Sequence, residues 1–90
     1  MQRNLSMPDP NITIDEKGRR ILLQNLGKSI RNQRIRAGLS QEGLAHSAYL
    51  DRSYMGGVER GERNIAWINL VKIARALKIS VSQLISEADL

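Results

Sequence analysis

The chain has no cysteine and no phenylalanine, and only 3% of its 90 residues are aromatic: Tyr49, Tyr54 and Trp67. The lack of cysteine excludes disulfides and thiolate metal sites and makes a reducing cytoplasm the natural setting. With so few rings, a core must be built from Leu, Ile, Val and Ala, which suits packed helices better than a β-sandwich. No apolar run approaches the roughly 20 residues needed to span a bilayer. The opening MQRNLSMPDP has no hydrophobic stretch that would serve as a signal peptide. The single histidine, His46, has no second ligand or nucleophile beside it, and paired carboxylates, a Gly-rich phosphate loop and metal-ligand spacing are all missing. The expectation is a cytoplasmic protein with no cofactor, no metal, no small-molecule ligand and no enzymatic activity.

Acidic residues are also missing from one long stretch. The chain carries a formal charge of +5, and between Lys17 and Gln41 there are seven basic residues (Lys17, Arg19, Arg20, Lys28, Arg31, Arg34 and Arg36) and no acidic one. Such a block is either a solvated helix face or the footprint of a polyanion, nucleic acid or an anionic membrane surface. A membrane surface fits poorly, because the same helix needs its apolar face for the core.

Residues 1–19, with Pro8, Pro10 and Gly18 and no periodicity, read as a flexible arm. A helix is expected over 20–37, where Ile21, Leu22, Leu23, Leu26, Ile30 and Ile35 form a stripe that ends at the C′ glycine Gly38. Ser40 caps a short helix over 41–47, with Leu44 and Ala45 inward. Asp51 caps another over 52–60, closed by Gly61. A helix over about 66–78 puts Trp67, Leu70, Val71, Ala74 and Leu77 on one stripe, with Trp67 as its largest core residue. Ser80 and Gln83 form a capping box for a fifth helix, with Val81, Leu84 and Ile85 inward. The fold class is all-α: five helices in one domain, residues 20–90, with a helix-turn-helix at about 41–60.

One detail conflicts with this pattern. Gly56 and Gly57 lie inside the expected 52–60 helix, where each costs roughly 1 kcal/mol relative to alanine. Either the segment is a loop, or something comes very close to that backbone.

Two short helices joined by a few residues form a helix-turn-helix unit. The stretches LSQEGLA, LDRSYMGGVERGERN and LVKIARALKISVSQLI, covering about Leu26 to Ile85, closely resemble the Xre-type family of phage repressor and Cro domains. Within it they are most similar to the controller proteins of restriction–modification systems, small homodimeric regulators. The resemblance implies a repressor-like DNA-binding domain that regulates transcription from a palindromic operator. It makes Asp51 to Arg60 the recognition helix, with Arg52, Ser53 and Gly57 at base-reading positions. It puts Gln41, Tyr54, Arg60 and Arg36 against phosphates, and pairs Arg34 with Glu59. Tyr49 stands where the family commonly has Gly or Asn, so a positive φ there would be strained. Gly43 stands where it often has Glu.

The chemistry agrees with these roles. Arg52, at the amino end of its helix, can address guanine O6 and N7 together, whereas Ser53 discriminates less. Gln41 adds an amide donor to backbone N–H groups that already favour a phosphate. A glycine at 57 would let the helix backbone approach the groove, or would instead let helices pack closely. Ile65 and Ile68 lie off the main stripe and Leu90 ends the chain. Together with Leu84 they are the expected two-fold interface, which would set two recognition helices about 34 Å apart. The alternatives are a phage-type repressor, or an antitoxin-like protein-interaction module that autoregulates its operon.

Overall fold

In the computed structural model, which describes residues 13–89, the helices are α1 Glu16–Arg36, α2 Gln41–Ser47, α3 Arg52–Glu59, α4 Trp67–Ala76 and α5 Val81–Ser86. No strand occurs among the described residues, and none of their helices is long and apolar enough to cross a membrane. The expected arm divides in two. Residues 1–12 lie outside the described residues, while 16–19 are helical. The earlier start has a local cause. The Asp15 carboxylate accepts a 2.7 Å bond from the Gly18 N–H, and Glu16 occupies the first turn, where the helix dipole favours an anion. That turn carries no apolar period, so periodicity alone misses it.

Side-chain caps set the starts of α2, α3 and α5 as expected, whereas α4 begins after Ala66 without one. Ser40 Oγ accepts from the Gly43 N–H, Asp51 from those of Ser53 and Tyr54, and Ser80 Oγ from that of Gln83. The ends of the first four helices share one device, paired backbone bonds that run back across the last turn. The device requires a left-handed residue just past each cap. Gly38 (φ 72°) and Gly61 (φ 75°) supply it freely, whereas Tyr49 (φ 57°) and Lys78 (φ 60°) adopt the same conformation with a side chain. The strain anticipated at Tyr49 is therefore present.

Ile30, Leu44, Met55, Ile73 and Leu84, one from each helix, are fully buried and make the centre of the core. α1 lies across α3 and α5, α2 packs on α3 and α4, and α4 meets α5. Ser29 Oγ donates a buried 2.7 Å bond to the Leu84 carbonyl and ties α1 to α5. Two expectations need correction. Of the α1 stripe, Leu26 and Ile30 are buried, while Ile21, Leu22 and Ile35 are exposed. By helical spacing Ile21 lies opposite Ile30 and Ile35 opposite Leu26, on the side away from the core. Trp67 is not a core residue: it is 63% exposed at the first position of α4, on the core-facing stripe but beyond the end of the core.

Candidate nucleic-acid interface

The start of α3 is held by Asp51. Its Oδ2 accepts from the Ser53 N–H (3.0 Å), the Ser53 Oγ–H (2.8 Å) and the Tyr54 N–H (3.2 Å). These bonds, the Ser53 hydroxyl first, hold the Asp51 carboxyl below its ordinary pKa. The Ser53 proton therefore points into the cap, and the serine faces outward as an acceptor.

Arg52 is exposed beside this cap. It joins Gln41, Asp51, Ser53, Gly56 and Arg60 around an open cleft of about 430 Å³ between the starts of α2 and α3. Ser53, Gly56, Gly57 and Arg60 share one face of α3 by their spacing. The middle of that face is covered from elsewhere. A Cβ on Gly56 would meet Arg60 Nη1 at 3.0 Å and Gln41 Oε1 at 3.4 Å, and one on Gly57 would meet Arg63 Cγ at 2.9 Å. Both glycines are buried. Gly57 is thus a helical residue roofed by the side chain of Arg63, not bare backbone open to solvent. The close helix packing occurs at Gly27 of α1, where a Cβ would lie 2.5 Å from the Glu59 carbonyl oxygen and 2.6 Å from that of Val58.

Under this part of α3 lies the expected ion pair. Arg34 donates from Nε (2.7 Å) and Nη2 (3.0 Å) to the two carboxylate oxygens of Glu59, and from Nη1 to the Leu39 carbonyl. The hydrogen bonds to Glu59 raise the Arg34 pKa above its ordinary value. Gln41 Nε2 donates a third bond, 3.0 Å, to Glu59 Oε1. The amide expected to meet a phosphate thus spends one of its two protons inside the protein and keeps one.

The remaining phosphate candidates separate. Tyr54 Oη accepts from Asn69 Nδ2 at 3.1 Å and retains its own proton to donate. Arg60 donates to Glu62 Oε2 at 2.9 Å, which raises the arginine pKa and lowers that of the glutamate. Arg36 is not at the cleft. It pairs with Glu87 at the end of α5, 3.0 Å away. Of the interface candidates, Ile68 is 62% exposed and Ile65 half-buried against the core, and Leu90 lies outside the described residues. Leu84 corrects the expectation: it is wholly buried between α1 and the other helices, so it has no surface to offer a second copy.

Sequence reasoning misses Arg63 and Asn69. Both fall outside the motif helices, and no spacing rule predicts that they fold back onto α3. In the run ERGERN the available signal for Arg63 is only that two arginines lie three residues apart, each beside a glutamate.

A helix-turn-helix family model matches residues 30–84. The control protein C.SmaI of Serratia marcescens is 37% identical over 84 residues, covering 93% of this chain and 94% of that protein. C.MunI of Mycoplasma, also a control protein, is 37% identical over 70 residues, covering 78% and 92%. The crystal structure of the restriction-modification controller protein C.AhdI from Aeromonas hydrophila matches with a TM-score of 0.68 at 50% identity, covering 69% of this chain and 94% of that one.

Proposed function

Because this chain belongs to the helix-turn-helix family, and within it to the control proteins, we propose that it is a sequence-specific regulator of transcription that binds double-stranded DNA and governs a restriction–modification system. The observation that carries the reading is the face of α3. Its start is fixed by the Asp51 cap, its first turn presents Arg52 free at an open cleft, and Arg60 and Arg63 lie along the same side. A cationic helix face of this kind, braced from below by the Arg34–Glu59 pair, suits a major groove, where arginine makes the commonest specific contact. Gln41, Tyr54 and Arg60 serve as phosphate contacts, each with at least one donor left. Two copies joined through Ile65, Ile68 and the exposed Trp67 would present two such helices to a palindrome.

The test is enrichment of a duplex from a randomised pool, followed by titration on that duplex and on its scrambled form at several salt concentrations. A preferred inverted repeat should emerge, and log K should fall steeply with log salt as phosphate contacts release counterions. Equal binding to enriched and scrambled duplexes at physiological salt overturns the reading.

A further inference from the structure

Position 57 faces outward on α3 yet has no side chain, and the space a side chain would fill is occupied by another residue. The three atoms nearest a Cβ built there all belong to Arg63: Cγ at 2.9 Å, Nε at 3.5 Å and Cδ at 3.7 Å. Arg63 reaches this place because α3 ends in the left-handed turn at Gly61 and the chain doubles back over the helix it has just left. The Arg63 guanidinium is not held by the neighbouring acid. The Glu62 carboxylate accepts from Arg60 and feels Arg63 only through space.

We propose that Gly57 is a positioning residue for DNA recognition: its missing side chain is the seat on which the stem of Arg63 lies, so that the guanidinium of Arg63 is delivered to the base pair that position 57 faces. The proposal rests on the DNA-binding reading above. A guanidinium so placed can bond guanine O6 and N7 together, and a stem already seated has fewer rotamers to lose on binding. At the neighbouring Gly56 it is the guanidinium end of Arg60 that lies over the glycine, Nη1 at 3.0 Å from a built Cβ and beside Gln41 Oε1. Two consecutive glycines in α3 thus exchange helix propensity for two arginines laid along the face. A methyl group at 57 would meet Arg63 Cγ at 2.9 Å, and none of the three nearest atoms is backbone. Arg63 must therefore leave its seat by turning about its first side-chain bond, and the arm shifts.

The alternative is that Gly57 admits the helix backbone to the groove directly, and a double-mutant cycle separates the two. Gly57→Ala, Arg63→Ala and the double variant are titrated on the duplex that the wild-type protein enriches from a randomised pool. Each single variant should lose about tenfold in affinity. The double variant should bind no worse than Arg63→Ala, because without the arm the seat has nothing to position. Arg63→Met, which keeps the stem and loses the guanidinium, should bind like Arg63→Ala. The slope of log K against log salt should stay unchanged in Gly57→Ala, which keeps its charge, and become shallower by up to about 1 in Arg63→Ala. Re-selection with either single variant should relax the same base pair. Losses that multiply in the double variant overturn the proposal and favour direct backbone approach. Wild-type affinity in Gly57→Ala, or a loss of helicity in that variant, also overturns it. If the wild type enriches no duplex at all, the failure belongs to the DNA-binding reading and not to the seat.

Discussion

Glu59 is the residue on which the polar contacts of the site converge, with two bonds from Arg34 and one from Gln41 on a side chain only 2% exposed. The bonds bind α1, α2 and α3 together beneath the face of α3 proposed to meet DNA. The pairing of Arg34 with Glu59 was legible through family resemblance, but its depth was not, because nothing in the spacing says which carboxylate a fold will bury. The two ends of the pair are unequal. Removing Arg34 strands a buried carboxylate with a single neutral partner, and such losses cost about 3–5 kcal/mol. Removing Glu59 leaves an arginine that is more exposed and still bonded to the Leu39 carbonyl. Arg34→Ala should therefore destabilise more than Glu59→Ala. It would remove a large share of the roughly 5–13 kcal/mol expected for a chain of this size. Urea melts of the two variants check the order. Two melts like that of wild type would show that the pair does not support the fold.

Among the helices, the crossing of α1 and α3 shows why glycines of one composition serve different ends. Gly27 lets α1 touch the carbonyls of Val58 and Glu59, which are rigid backbone, whereas Gly57 meets a movable side chain. Gly27→Ala should thus lose about 1–3 kcal/mol by overpacking, despite a gain of up to about 1 kcal/mol in helix propensity. Gly57→Ala, keeping that gain, should melt no lower than wild type. Paired melts of the two variants measure the contrast, and a Gly27→Ala protein as stable as wild type would mean the helices can separate without penalty. Helix starts and stops were readable because caps are local chemistry: Ser40, Asp51, Ser80, Gly38 and Gly61 act within four residues of themselves. A helix crossing is not local, and Gly27 carries no mark in the sequence that distinguishes it from Gly18.

For the molecule as a whole, the open matter is what covers the start of α4. Trp67 and Ile68 are exposed side by side, at 63% and 62%, next to the half-buried Ile65. No element among the described residues lies over them, and an apolar patch of this kind favours association. With Leu84 withdrawn into the core, the proposed two-fold interface rests on Ile65, Trp67 and Ile68. Ile68→Glu should convert a micromolar dimer to monomer in sedimentation and leave helicity unchanged, since Ile68 takes no part in the core. A variant that remains dimeric places the interface elsewhere.

The class of the fold, the five helices of the described residues, most of their ends and the family to which the chain belongs were all legible in the residues alone. Each of these rests on apolar period, capping chemistry or an ordered motif, and all of those are written within a few residues. Only the tertiary structure decided that Trp67 is outside and Leu84 inside, that Arg36 answers Glu87, and that Arg63 lies over Gly57. The stripe that marks a residue as facing inward does not say where the neighbouring helix stops, so Trp67 lies beyond the core it points toward. Long side chains have the same freedom. Arg63 could have pointed anywhere until α3 ended at Gly61 and turned the chain back across its own helix.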